Sequence, residues 1–150
     1  AEQYLLIEKY FGNNQCVLDV NWKVETSFEE GKEKSIFYAD CLVNGKSRKE
    51  ELVVNGGPID AAYKTLIKVL SEEYPVVKEL KLVDYDVKIA RMKGEESSVR
   101  TTIALSNDDI FYTVGVDKNI IESAVEALKK GFCYHILKEG KYKNDRSEIN

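Results

Sequence analysis

Three observations predict an α+β fold made of two pseudo-repeated strand-strand-strand-helix (β3α) units. Most of the chain alternates apolar and polar residues, which is the period of half-buried strands. Two stretches, 58–73 and 117–130, instead carry apolar residues at helical spacing. Sliding the chain by 62 residues lays Ile59 on Ile121, Ala62 on Ala124 and Leu66 on Leu128. Each unit then has one apolar sheet face, which its own helix or the sister unit can cover. A length of 150 residues suits one such domain.

The elements follow in order. Residues 1–13, with AEQYLLIEKYFG, read as the end of a preceding linker or helix. The domain spans 14–138, with unit one over 14–77 and unit two over 78–138. Gln15–Ser27 alternates as a strand, and SIFYADCLVNG and SRKEELVVNGG follow as two more. Between them Asn44–Gly45 is a hairpin signal. The helix from Pro58 to Glu73 buries Ile59, Ala62, Leu66, Val69 and Leu70 on one face, and Tyr74–Pro75 ends it. In unit two, KELKLVDYDVKIARMKG, SSVRTTIALSNDD and IFYTVG read as strands. DKNIIESAVEALKK is the helix, with Asp117 or Asn119 as its cap and Gly131 as its stop. Residues 139–150 lack an apolar pattern and are expected as a flexible tail.

The net charge is −4 and the basic residues are scattered, which argues against nucleic acid as a partner. No apolar run approaches the ~20 residues of a membrane helix, and no signal-peptide pattern is seen, so neither a membrane partner nor export is expected. The odd cysteine count, Cys16, Cys41 and Cys133, suggests reduced thiols in a cytoplasmic protein.

Few residues carry chemistry. His135 lies two positions after Cys133, just past the expected helix stop. On a strand the two would share a face, but no orienting group or oxyanion hole accompanies them, and a partly exposed edge position is the simpler reading. Asp84 and Asp86 could pair as acid and base, yet i and i+2 carboxylates also fit plain polar-out alternation. Ser106–Asp109 is a turn with too few ligands for calcium. No catalytic residue, metal site or cofactor is therefore assigned. The turn Asn55-Gly56-Gly57-Pro58 is neither a Walker loop nor a dinucleotide fingerprint. It reads as a tight turn with glycine at positive φ and Pro58 opening the helix. Its bare N–H groups could also accept a small carboxylate.

GGPIDAAYKTLIKVL, LKLVDYDVKI and YTVGVDKNIIESAVEAL together resemble the C-terminal regulatory domain of the 2-isopropylmalate synthase family. AEQYLLIEK, the spacing through EEYP to LVDYDVKI, and TVGVDKNIIESA look most like the citramalate synthase branch. The resemblance implies a homodimeric allosteric domain that binds a pathway end product, isoleucine or leucine, as feedback inhibitor. It implies a parent enzyme whose separate barrel carries a divalent metal and condenses acetyl-CoA with a 2-oxo acid. The family's His-x-His metal motif is absent from this chain. The family's Gly-Asn-Gly-Pro turn falls on Asn55, Gly56, Gly57 and Pro58, with Asn55 in place of the first glycine. Ile59 and Asp60 follow at the helix start, and Leu82, Tyr85, Ile89, Val99 and Val116 match the effector's apolar wall. Other readings are a leucine sensor, a stand-alone amino-acid-binding module, and a small hydrolase using Cys133 and His135.

Overall fold

The computed structural model describes residues 18–90 and 97–149. The segment expected to end a preceding helix lies outside them. Two three-stranded antiparallel meanders, each followed by a helix, form the fold, and the predicted β3α repeat is what the chain adopts. The first sheet contains β1 (Leu18–Glu29), β2 (Lys32–Val43) and β3 (Lys46–Val54), and α1 (Pro58–Ser71) follows it. A short 3-10 turn, Pro75–Glu79, leads into β4 (Lys81–Ala90), β5 (Ser98–Asn107) and β6 (Asp109–Asp117), and α2 (Ile120–Ile149) completes the second unit.

Both hairpins of the first sheet close on two residues at positive φ. Asn44 and Gly45 stand at 52° and 79°, and Glu30 and Gly31 at 53° and 75°. That geometry matches the right-handed twist of the paired strands. From there alternation sets the faces. Phe37, Ala39, Cys41 and Val43 of β2 all point into the core, opposite Val24, Trp22, Val20 and Leu18 of β1. Trp22 stacks on Phe37 with ring centroids 6.0 Å apart.

Each helix lies on its own sheet. α1 buries Ile59, Ala62, Leu66, Val69 and Leu70, the predicted face, against β2 and β3. α2 buries Ala124, Val125, Ala127, Leu128 and Phe132 against β6 and β5. The helices meet each other, so one continuous core runs through both units.

Glycine sets how closely α2 approaches. A Cβ on Gly115 of β6 would lie 1.9 Å from Ser123 O and 2.8 Å from Ala127 N, so the helix backbone rests directly on the strand. Thr113 Oγ1 donates to Ala127 O at 2.6 Å, and Lys130 Nζ donates to Val114 O at 3.0 Å, fastening the contact.

α2 differs from expectation in length. It runs through Gly131 and stays helical to Ile149. Gly131 is no stop: a Cβ there would fall 2.4 Å from Leu105 Cδ1, so its bareness admits Leu105 instead. Cys133 and His135 consequently sit on a helix, not a strand. The expectation of reduced thiols holds for Cys41, which is free and buried, but Cys133 is disulfide-bonded. Sequence spacing could not reveal that, because pairing depends on distance in the fold.

Candidate functional site

The turn at Asn55–Pro58 opens α1, and β2 holds it. Ser35 Oγ donates to Gly56 O at 2.8 Å and shares a hydrogen bond of 2.9 Å with Thr26 Oγ1. Pro58 takes the first helical position and Ala61 N–H closes the first helical turn on Gly57 O at 3.1 Å. The expected positive φ does not occur. Gly57 is extended at φ −81° and ψ 171°, and neither Gly56 nor Asn55 is left-handed. The glycines therefore serve space, not backbone conformation. A Cβ on Gly56 would meet Asp60 Oδ2 at 3.4 Å, and one on Gly57 would meet Glu33 Oε1 at 3.4 Å.

No side chain caps α1. The first N–H groups of any helix lack intrahelical partners and carry the positive end of its dipole, so here they stay open. The second unit differs at the matching place. The 62-residue shift puts Gly57 on Asn119, and Asn119 Oδ1 accepts from Ile121 N at 2.8 Å and Glu122 N at 3.0 Å. Asn119 is thus the cap, with Asp117 Oδ2 bracing its N–H at 2.8 Å. Two equivalent helix starts end up chemically opposite, one sealed and one open.

The second set of candidates lies on β4 and β5. A bulge between Leu82 and Asp84 shifts the register, so Leu82 and Tyr85 face the same way although three apart. They stand opposite Leu105 and Ile103, and Ile89 stands opposite Val99. Leu82, Tyr85, Ile89 and Val99 therefore share one face. α2 covers β5 and β6 and stops short of β4, leaving Tyr85 46% and Ile89 65% exposed. Val116 pairs with Arg100 and faces the other side of that sheet. The turn residues and this wall belong to different sheets, and β4 packs chiefly on β5. The described contacts do not bring the two sets together within one chain.

Residues the sequence reading missed also gather at the open helix start. Glu33 reaches over Gly57, and Phe28 stands directly opposite Glu33 in the β1–β2 register. The signal was available. Glu33 occupies the inward phase of β2, shared with Ser35, Phe37, Ala39 and Cys41, where a carboxylate breaks the pattern.

Other candidates fall to structural roles. His135 is 3% exposed, not a partly exposed edge residue. Its Nε2 lies 3.7 Å from Glu79 Oε2 and has no hydrogen-bond partner. Burial pushes the imidazole below its usual range, against the pull of Glu139 and Glu79. Asp84 and Asp86 are exposed; Asp84 Oδ1 accepts from Tyr85 N–H, and Asp86 lies 3.8 Å from Lys88. A shallow groove of about 750 Å³ on the first sheet is lined by Lys23, Tyr38, Asp40 and Lys49 among others. Part of its charge is paired internally, Lys23 with Glu25 and Lys68 with Glu50. Among the described residues no three His, Cys, Asp or Glu side chains converge as a metal site, and no helix is long and apolar enough to cross a membrane.

Comparison with known proteins matches residues 3–135 to the family described as the LeuA allosteric (dimerisation) domain. The chain is 29% identical over 138 residues to the (R)-citramalate synthase of Geobacter sulfurreducens, covering 89% of this chain and 26% of that one. It is 38% identical over 88 residues to the (R)-citramalate synthase of Aquifex aeolicus, covering 57% and 17%. It is 32% identical over 85 residues to the 2-isopropylmalate synthase of Pseudoalteromonas atlantica, covering 56% and 15%. The chain thus spans between 15% and 26% of the length of these relatives.

Proposed function

Since the chain belongs to the LeuA allosteric (dimerisation) domain family, we propose that it is the feedback sensor of a citramalate synthase-like acyl transferase and binds isoleucine. The parent reaction in this reading is condensation of acetyl-CoA with pyruvate in isoleucine biosynthesis, in the cytoplasm. Its divalent metal and catalytic groups belong to the barrel of the parent chain. This chain contributes effector binding and homodimerisation.

The observation that carries the reading is the contrast between the two helix starts. Asn119 seals α2 with its own side chain, while Gly57 at the matching position leaves α1 open. An open helix start, steadied by the Ser35 bond to Gly56 O, suits an amino-acid carboxylate. The face bearing Leu82, Tyr85, Ile89 and Val99 suits a branched aliphatic side chain, since small-ligand sites combine apolar walls with a few placed polar groups. The two sets lie on different sheets, so a second copy that laid its β4 face against the α1 start would complete the site. That arrangement also covers Tyr85 and Ile89.

Similarity to 2-isopropylmalate synthases as well as citramalate synthases supports leucine as the alternative effector. The two differ by the placement of one methyl group, a difference of about 1–3 kcal/mol in a fitted pocket. Calorimetric titration of the chain with isoleucine, leucine and valine decides between them. Isoleucine is expected to bind most tightly, and a chain that binds none of the three is not an amino-acid sensor.

A further inference from the structure

We propose that Glu33 recognises the effector's ammonium group, and that it is the residue by which the domain distinguishes an amino acid from the 2-oxo acid of the same skeleton. This rests on the reading of the open α1 start as the effector site.

Two carboxylates stand at that opening. Asp60 Oδ2 is already paired, 3.2 Å from Lys64 Nζ. Glu33 is not: among the described residues no cation lies within ion-pair distance of it. Its Oε1 and Oε2 sit 3.4 and 4.0 Å from the point that a Cβ on Gly57 would occupy. The carboxylate therefore hangs over the backbone position that Gly57 keeps bare. β2 sets this placement. Glu33 is two residues before Ser35, on the same face, and Ser35 holds the turn through Gly56 O. The strand that fixes the turn also fixes the carboxylate beside it.

Opposite Glu33 across the pair is Phe28, 70% exposed. Side chains directly opposite in an antiparallel pair lie within contact range, so one flank of the carboxylate is apolar. An ammonium between Glu33 and that flank gains more than it would in open water.

The charges explain the selectivity. A ligand bearing only a carboxylate would bring its negative charge to an opening where Glu33 already supplies one. An α-amino acid brings the compensating ammonium with it. A feedback sensor needs that distinction, because the parent reaction consumes a 2-oxo acid and the pathway ends in an amino acid. A Glu33 that merely complements the α1 dipole would favour neither ligand.

The test is titration of the 150-residue chain, as wild type, Glu33→Gln and Glu33→Asp. The probes are isoleucine, leucine and the 2-oxo acid of each. Wild type is expected to bind an amino acid and to reject its 2-oxo acid. Glu33→Gln should weaken amino-acid binding by about tenfold or more, the scale of a lost charged hydrogen bond, and bring the two ligand classes close together. Glu33→Asp keeps the charge one methylene further back and should retain part of the preference. It also supplies the comparison should Glu33→Gln not fold. Wild-type binding of an amino acid with an unchanged preference in Glu33→Gln overturns the role of Glu33 alone. Wild type binding neither amino acid overturns the site itself, and this proposal with it.

Discussion

A side chain on Gly57 would start 3.4 Å from the Glu33 carboxylate, on backbone at φ −81° and ψ 171° that any residue can adopt. Gly57→Ala should therefore fold normally, with a thermal midpoint close to wild type and a modest loss of effector affinity. Gly57→Asp adds a negative charge beside Glu33 and in front of the α1 dipole. It should weaken effector binding well beyond Gly57→Ala, because repulsion replaces the dipole's attraction for the carboxylate. Calorimetry on both variants checks the pair, and an Asp variant that binds like wild type shows the turn to be only a turn. His135 carries a second residue-scale expectation. The fold prefers its neutral form, so as pH falls the unfolded chain takes up the proton first. The stabilising contribution is complete above the usual value of 6.5 and shrinks as pH drops through it toward the lower folded value. Denaturant midpoints at descending pH should fall more steeply for wild type than for His135→Gln, and parallel curves would remove His135 from the account.

At the scale of elements, α2 on β6 is the least forgiving contact. Gly115→Ala would drive a Cβ into Ser123 O and the Ala127 backbone, so the whole helix must lift. Overpacking of this kind costs about 1–3 kcal/mol or more. Gly131→Ala meets only the end of the Leu105 side chain, which can rotate, and should cost less. Thermal midpoints of the two variants should rank in that order. These glycines also mark where the sequence was legible and where it was not. Alternation and helical spacing located the described strands, the first helix and the start of the second to within a few residues, because each depends on neighbours close along the chain, but they missed the end of α2, which runs on to Ile149. Gly131 was misread as a stop because glycine ends helices and also admits close neighbours, and only the position of Leu105 tells the two apart. The Gly56–Gly57 turn was misread the same way, as a conformational need instead of a spatial one. The burial of His135 followed from the missed extension of α2. Glu33 stood out as a carboxylate at an inward position of β2, but its meaning required knowing that β2 holds the turn.

The whole molecule presents an unfinished surface. Tyr85 and Ile89 project from β4, which α2 stops short of, and Phe28 stands exposed near the end of β1 on the other sheet. The chain is expected to sediment as a homodimer, burying the ~1,200–2,000 Å² that stable interfaces need. Ile89→Asp places a charge in that contact and should shift the chain to monomer while its circular dichroism stays unchanged. Effector affinity should fall with it, because the wall and the turn would then no longer meet. A wild-type chain that is monomeric at high micromolar concentration, with and without isoleucine, would break this picture.

Trp22 of the first unit donates its indole N–H to Glu122 of the second, and Glu122 is the residue that the repeat lays on Asp60. A tandem copy starts with two identical seats. On the proposed reading only the α1 start can seat an effector: the matching entrance at α2 is stoppered by Asn119, and the acid there is spent on joining the halves. The surviving seat is then alone in its chain, so effector should saturate at one molecule per chain. Any steepness in the response has to be communicated between copies, because inside one copy there is no second occupant to hear it.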